Sequence, residues 1–137
     1  MDTLKTYVVA YLCFLVPMLA IDAVWMFTMS KRFYASRIGS LMADSPRIAP
    51  AVFFYLIYAF GAAVLVVVRA ESNQTGYLKT FFLGAILGLM AYATYDLTNQ
   101  ATLKEWPIVV TIVDLAWGAL LTGAVSVIAV SITRALT

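Results

Sequence analysis

Four times along this chain the residues turn apolar for about twenty positions, the length a helix needs to cross roughly 30 Å of hydrocarbon. The runs cover about 7–29, 50–68, 78–97 and 107–132. Inside a bilayer every backbone N–H and C=O must be bonded within its own segment, so such runs are helices. Of the 137 residues 64% are hydrophobic and 12% are charged. A chain this small cannot bury that much apolar surface in a water-soluble globule. The expectation is an all-α integral membrane protein with a single domain over 1–137. It should fold as a four-transmembrane-helix up-down bundle, neighbours antiparallel because the connections are short.

The connecting segments, KRFYASRIGSLMADSPRIA, RAESNQTGY and TNQATLKEW, are polar enough to be surface loops. Within the first, 33–42 is basic and amphipathic and is expected to form a short helix on the membrane surface. Pro50 and Pro107 suit a first helical turn, where a missing N–H costs nothing, and Pro17 sits mid-span at the expense of a kink. The first run reads as a span and not as a cleaved signal: it is too long, only Lys5 precedes it, and no Ala-x-Ala site closes it. An even number of spans puts both termini on one side. Lys31, Arg32, Arg37, Arg47 and Lys104 lie in loops 1 and 3, against Lys5, Arg69, Lys79 and Arg134 on the opposite side. That is almost no bias; the denser loop 1 tips loops 1 and 3 towards the cytoplasm.

Several chemistries are excluded. With no histidine there is no imidazole base, proton relay or His-ligated metal. Cys13 is the only cysteine, so no internal disulfide can form. No basic block marks a nucleic-acid partner. No lysine lies mid-span to carry a Schiff base.

What remains is a set of polar residues in apolar runs. An aspartate at a helix centre costs roughly 2.5–3.5 kcal/mol on insertion scales, and this chain has three: Asp22, Asp96 and Asp114. Asp22 lies about 7 residues before the end of its run and Asp114 about 7 after the start of its own, both about 10 Å deep; Asp96 is shallower. Helices 1 and 3 end, and helices 2 and 4 begin, on the same side, so the three acids fall in one layer. Residues three apart share a helix face, which adds Trp25, Asn99 and Trp117 to the layer. Tyr92 and Tyr95 flank Asp96, Tyr55 and Tyr58 lie at matching depth, and Thr111 and Thr122 extend the Asp114 stripe. No Lys or Arg lies deep in a span. The acids therefore need a shared proton, a bound cation, or Arg32 and Arg37 reaching in from loop 1. Asp114 is ranked first as the working residue, since it is nearest a helix N-terminus and Gly118 opens space one turn away. Trp106, Tyr7, Tyr34 and Tyr77 read as interfacial belt residues. Gly84 and Gly88, and Gly118 with Thr122, form small-residue faces that let helices 3 and 4 approach closely.

D-A-V-W at Asp22 to Trp25, K-R-F-Y at Lys31 to Tyr34, F-Y-L-I-Y at Phe54 to Tyr58, A-Y-A-T-Y-D-L-T-N at Ala91 to Asn99, W-P at Trp106 and D-L-A-W-G at Asp114 to Gly118 together resemble a bacterial family of predicted membrane proteins, domain of unknown function 2177. The resemblance runs over about residues 5–135. It implies a bacterial inner-membrane protein with four spans and no established activity.

Three functions compete. The first is binding or moving a small cation, proton or other small ligand in the acidic layer, with membrane lipids as partners and a homodimer as the working unit, as in small multidrug transporters. The second is a membrane enzyme or accessory protein acting on a lipid or isoprenoid, with an aspartate as acid or base. It lacks a recognisable nucleophile or phosphate loop. Mg²⁺ or Ca²⁺ could be held by the carboxylates and Asn99, but the spacing specifies no metal or other cofactor. The third is a structural subunit in which tyrosines and tryptophans bonded to aspartate serve as interhelical glue.

Overall fold

A computed structural model describes residues 3–137. It contains four helices long and apolar enough to cross a membrane: α1 (Thr3–Leu41), α2 (Ile48–Ser72), α3 (Tyr77–Thr102) and α4 (Ile108–Leu136). The largest departure from the sequence expectation is in α1. Its α-helical part, Thr3–Met29, passes without interruption over Pro17. It then runs through a π-helical turn at Ser30–Tyr34, an α-turn at Ala35–Ile38 and a 3₁₀ turn at Gly39–Leu41. The segment read as a surface loop with a separate helix over 33–42 is thus a continuation of α1. The residues are polar, but nothing in them stops a helix: no proline occurs between Pro17 and Pro46. At 1.5 Å per residue, α1 is about 58 Å long, far more than the hydrocarbon thickness.

The buried residues of the α-helical part of α1, Thr3–Met29, are Thr6, Ala10, Phe14, Met18 and Asp22, one every four positions. That spacing is a single ridge on a helix surface. It delivers an apolar seam for most of its length and an acid at its end. In α3 the same period gives Thr80, Gly84 and Gly88, then Asp96 two steps on. The glycines are there because of α4: a Cβ on Gly88 would collide with the Gly118 carbonyl, and one on Gly84 with the Ser126 side chain. Helices α3 and α4 form the most extensive contact in the molecule, and α4 also packs along α1. As the most enclosed span, α4 carries the longest buried stripe, from Val110 to Thr133.

Helix α2 sits differently at its two ends. Its second half, 63–72, packs against α4, α1 and α3, with Ala62, Ala63 and Ala70 allowing close approach. Its first half, Ile48–Ala62, packs chiefly on α1, and Phe53 and Ile57 point outward. Helices α2 and α3 therefore diverge towards the end of the bundle that carries the three aspartates. Long side chains tie α2 to its other neighbours: Tyr11 of α1 donates to the Leu56 carbonyl at 3.2 Å, and the Tyr58 hydroxyl meets the Thr122 hydroxyl of α4 at 2.6 Å.

Candidate functional site

All three aspartates are turned inward. Asp22 is 5% exposed, Asp96 0% and Asp114 8%. They do not form one triad, and among the described residues no group of three acidic, His or Cys side chains is placed to hold a metal ion. Asp22 stands by itself with two donors, the Tyr55 hydroxyl at 2.5 Å on Oδ2 and the Trp117 indole N–H at 3.0 Å on Oδ1. Asp114 accepts from the Tyr34 hydroxyl at 2.5 Å, and that hydroxyl accepts in turn from the Trp25 indole N–H at 3.1 Å. Asp96 lies against Asp114 and beside the Trp106 indole, yet neither of its oxygens is hydrogen-bonded, the Trp106 N–H being given to Thr111.

The Asp-x-x-Trp spacing explains the pattern. It occurs once in α1 (Asp22, Trp25) and once in α4 (Asp114, Trp117), and these two helices are antiparallel neighbours. Each spacing puts acid and indole on one face. The two indoles meet in parallel, with centroids 4.1 Å apart and planes 8° from coplanar. Each tryptophan then serves the acid of the other helix: Trp117 reaches Asp22 directly, and Trp25 reaches Asp114 through Tyr34.

Three sequence expectations are corrected here. Tyr34 and Trp106 are not interfacial belt residues; both are buried, packed with Val110. Tyr34 gets there because α1 does not stop. Side chains on a helix lean towards its N-terminus, so a tyrosine one turn into the continuation aims its phenol back down at Trp25 and Asp114. Nor do Arg32 and Arg37 reach the acids. Arg37 stacks over the Phe33 ring and donates to Ser36, and both arginines are exposed. Gly118 does not open free space beside Asp114 either, because the Tyr92 ring lies against it.

The remaining candidates separate. Tyr92 and Tyr95 line a cavity together with Asp22, Asp114, Trp25 and Trp117, although Tyr95 is also 58% exposed and sets its ring edge-on to Trp106. Tyr58 lies a turn deeper, occupied with Thr122 and stacked on Phe54. Asn99 is only half-buried and does not line the cavity. Its neighbour Gln100, which was not singled out, does more. It accepts from the Thr111 hydroxyl at 2.7 Å and donates to the Trp106 carbonyl at 3.2 Å, while Trp106 donates to Thr111 at 3.1 Å. These bonds tie the end of α3 to the start of α4. Gln100 is four residues after Asp96 on the buried ridge, the same period as the glycines, and that was the available signal.

The cavity has a volume of about 510 Å³, within the range of small-molecule sites. All four helices contribute to it: α1 through Asp22, Trp25 and Tyr34, α2 through Phe54, α3 through Tyr92 and Tyr95, α4 through Asp114 and Trp117. Ile38 and Met42, in and just after the continuation of α1, also line it. The walls are aromatic and aliphatic, the polar groups are acids and phenols, and no Lys or Arg lines it.

Residues 7–131 match the family described as "Predicted membrane protein (DUF2177)". No curated protein and no solved structure matches the chain. The match spans all four helices and every residue of the cavity, and the chain is a member of this family of multi-pass membrane proteins of unknown function.

Proposed function

We propose that the protein binds a small lipophilic cation in the cavity between its four helices. The observation that carries this is the pairing of two carboxylates, Asp22 and Asp114, with aromatic walls and no basic residue in one 510 Å³ space. A structural cluster would be expected to end with its charge neutralised inside the protein. Here the donors to the acids are neutral phenols and indoles, which orient a carboxylate without cancelling its charge. A cation over aromatic faces gains about 0.5–2 kcal/mol from the rings alone, and a desolvated carboxylate adds to that.

Access fits the same ligand. Phe54 on α2 and Tyr95 on α3 both line the cavity and both are exposed on the outside of the bundle, where a lipophilic cation partitions into hydrocarbon. That side also favours the alternative, a lipid or isoprenoid ligand whose headgroup reaches the acids.

Isothermal titration of the protein in detergent or nanodiscs with tetraphenylphosphonium decides between them. Saturable binding is expected in the native chain. Asp22→Asn, which keeps the shape of the side chain, should weaken it at least tenfold, about 1.4 kcal/mol. If tetraphenylphosphonium does not bind while a neutral isoprenoid alcohol does, the cation proposal fails in favour of the lipid.

A further inference from the structure

We infer that Asp96 and Asp114 are a proton site, one proton being held between the two carboxyls, and that a cation entering the cavity displaces it. The displacement rests on the cavity reading above; the proton itself rests on geometry at Asp96.

Asp96 is completely enclosed and both of its oxygens lack a donor. Buried polar groups are almost always bonded, and an unpaired buried carboxylate is among the costliest arrangements a protein can hold. Its neighbour is another carboxyl, and two carboxylates offer each other only acceptors. A single proton resolves both problems, because it turns one acid into a donor to the other and removes one of two adjacent charges.

The groups around the pair do not neutralise it. From α1, the Tyr34 hydroxyl is committed to Asp114, and Asp22 only adds negative charge. From α2, Tyr55 is committed to Asp22. From α3, Tyr95 lies beside Asp96, and Tyr92 lies nearer Asp22 and Asp114. Just before α4, the Trp106 indole lies beside Asp96, but its N–H is given to Thr111. None carries positive charge.

The two acids are not equivalent. Asp114 borders the cavity and Asp96 does not. A cation in the cavity therefore meets Asp114 first, with Asp96 behind it. When the cation enters, the O–H bond of the pair breaks and the proton leaves to water. One positive charge replaces another, and the charge of the site is unchanged. Binding and protonation are then linked reciprocally, and the pair titrates as a unit.

The test uses the full chain in liposomes. Infrared spectroscopy should show a carboxylic-acid carbonyl band at neutral pH that is lost in Asp96→Asn, whose amide N–H replaces the shared proton and keeps the helices together. Calorimetry with tetraphenylphosphonium in buffers of different ionisation enthalpy should count about one proton released per cation. The Kd should fall about tenfold per pH unit while the pair is protonated, and should be flat with pH in Asp96→Asn. An acid band that survives in both Asp96→Asn and Asp114→Asn overturns the proton site. Native binding with no proton released overturns the displacement and leaves the cavity reading intact. Absence of binding at every pH overturns the cavity reading and the displacement together, and the infrared band then judges the proton site by itself.

Discussion

Tyr34 does two jobs with one oxygen: it donates to Asp114 and accepts from Trp25. Tyr34→Phe removes both bonds and leaves the half-buried Trp25 indole N–H without its acceptor. Interhelical hydrogen bonds in membrane proteins average about 0.6 kcal/mol and reach about 1.7, so a loss of about 1–2 kcal/mol is expected in thermal or SDS unfolding. Tyr7→Phe, at an outward-facing tyrosine of the same helix, should change stability by less than about 0.5 kcal/mol. The contrast separates a belt tyrosine from a site tyrosine, which the sequence did not. Hydropathy places a residue in depth, and helical period places it on a face, so Asp22, Trp25, Asp114 and Trp117 were legible. Tyr34 was not, because its position depends on a helix continuing through polar residues that hydropathy assigns to a loop.

Between elements, the seam of α3 and α4 is set by backbone and not by side chains. A methyl group on Gly88 would strike the Gly118 carbonyl, which no rotamer change can move. Gly88→Ala should therefore force the helices apart and cost about 1–3 kcal/mol, measured as a shift in unfolding. It should also weaken cation binding, since Asp96 and Asp114 are held on these two helices. Gly61→Ala is the matched control: nothing lies within 4 Å of its Cβ, and alanine in a helix should be neutral or stabilise by up to about 1 kcal/mol. The Gly84, Gly88 and Gly118 faces could be read from their four-residue spacing. The seat of Gly123 against Phe81 could not, because it depends on register between two helices. For the same reason the divergence of α2 from α3 was invisible. Its trace in sequence is only a change from tyrosines at 55 and 58 to alanines at 62, 63 and 70.

Taken as a whole, the molecule gathers its three buried aspartates at one end of the bundle, where the cavity lies. On the proposed entry from the bilayer, a ligand reaches the acids without crossing water. Phe54→Trp, which enlarges an exposed side chain of the cavity lining, should slow tetraphenylphosphonium association in stopped-flow measurements while changing its equilibrium affinity less than Asp22→Asn does. The same cavity has an optical consequence. The chain contains three tryptophans, Trp25, Trp106 and Trp117, and all three line it. Ultraviolet-excited indole emission thus comes from this one place, with no background from the rest of the protein. The parallel pair, 4.1 Å apart, is close enough for its transitions to couple, so the far-ultraviolet circular dichroism should carry an exciton couplet on top of the helical signal. Trp25→Phe should erase the couplet and Trp106→Phe should leave it. A ligand that parts the two rings would collapse it during titration, making the unlabelled protein its own gauge of occupancy.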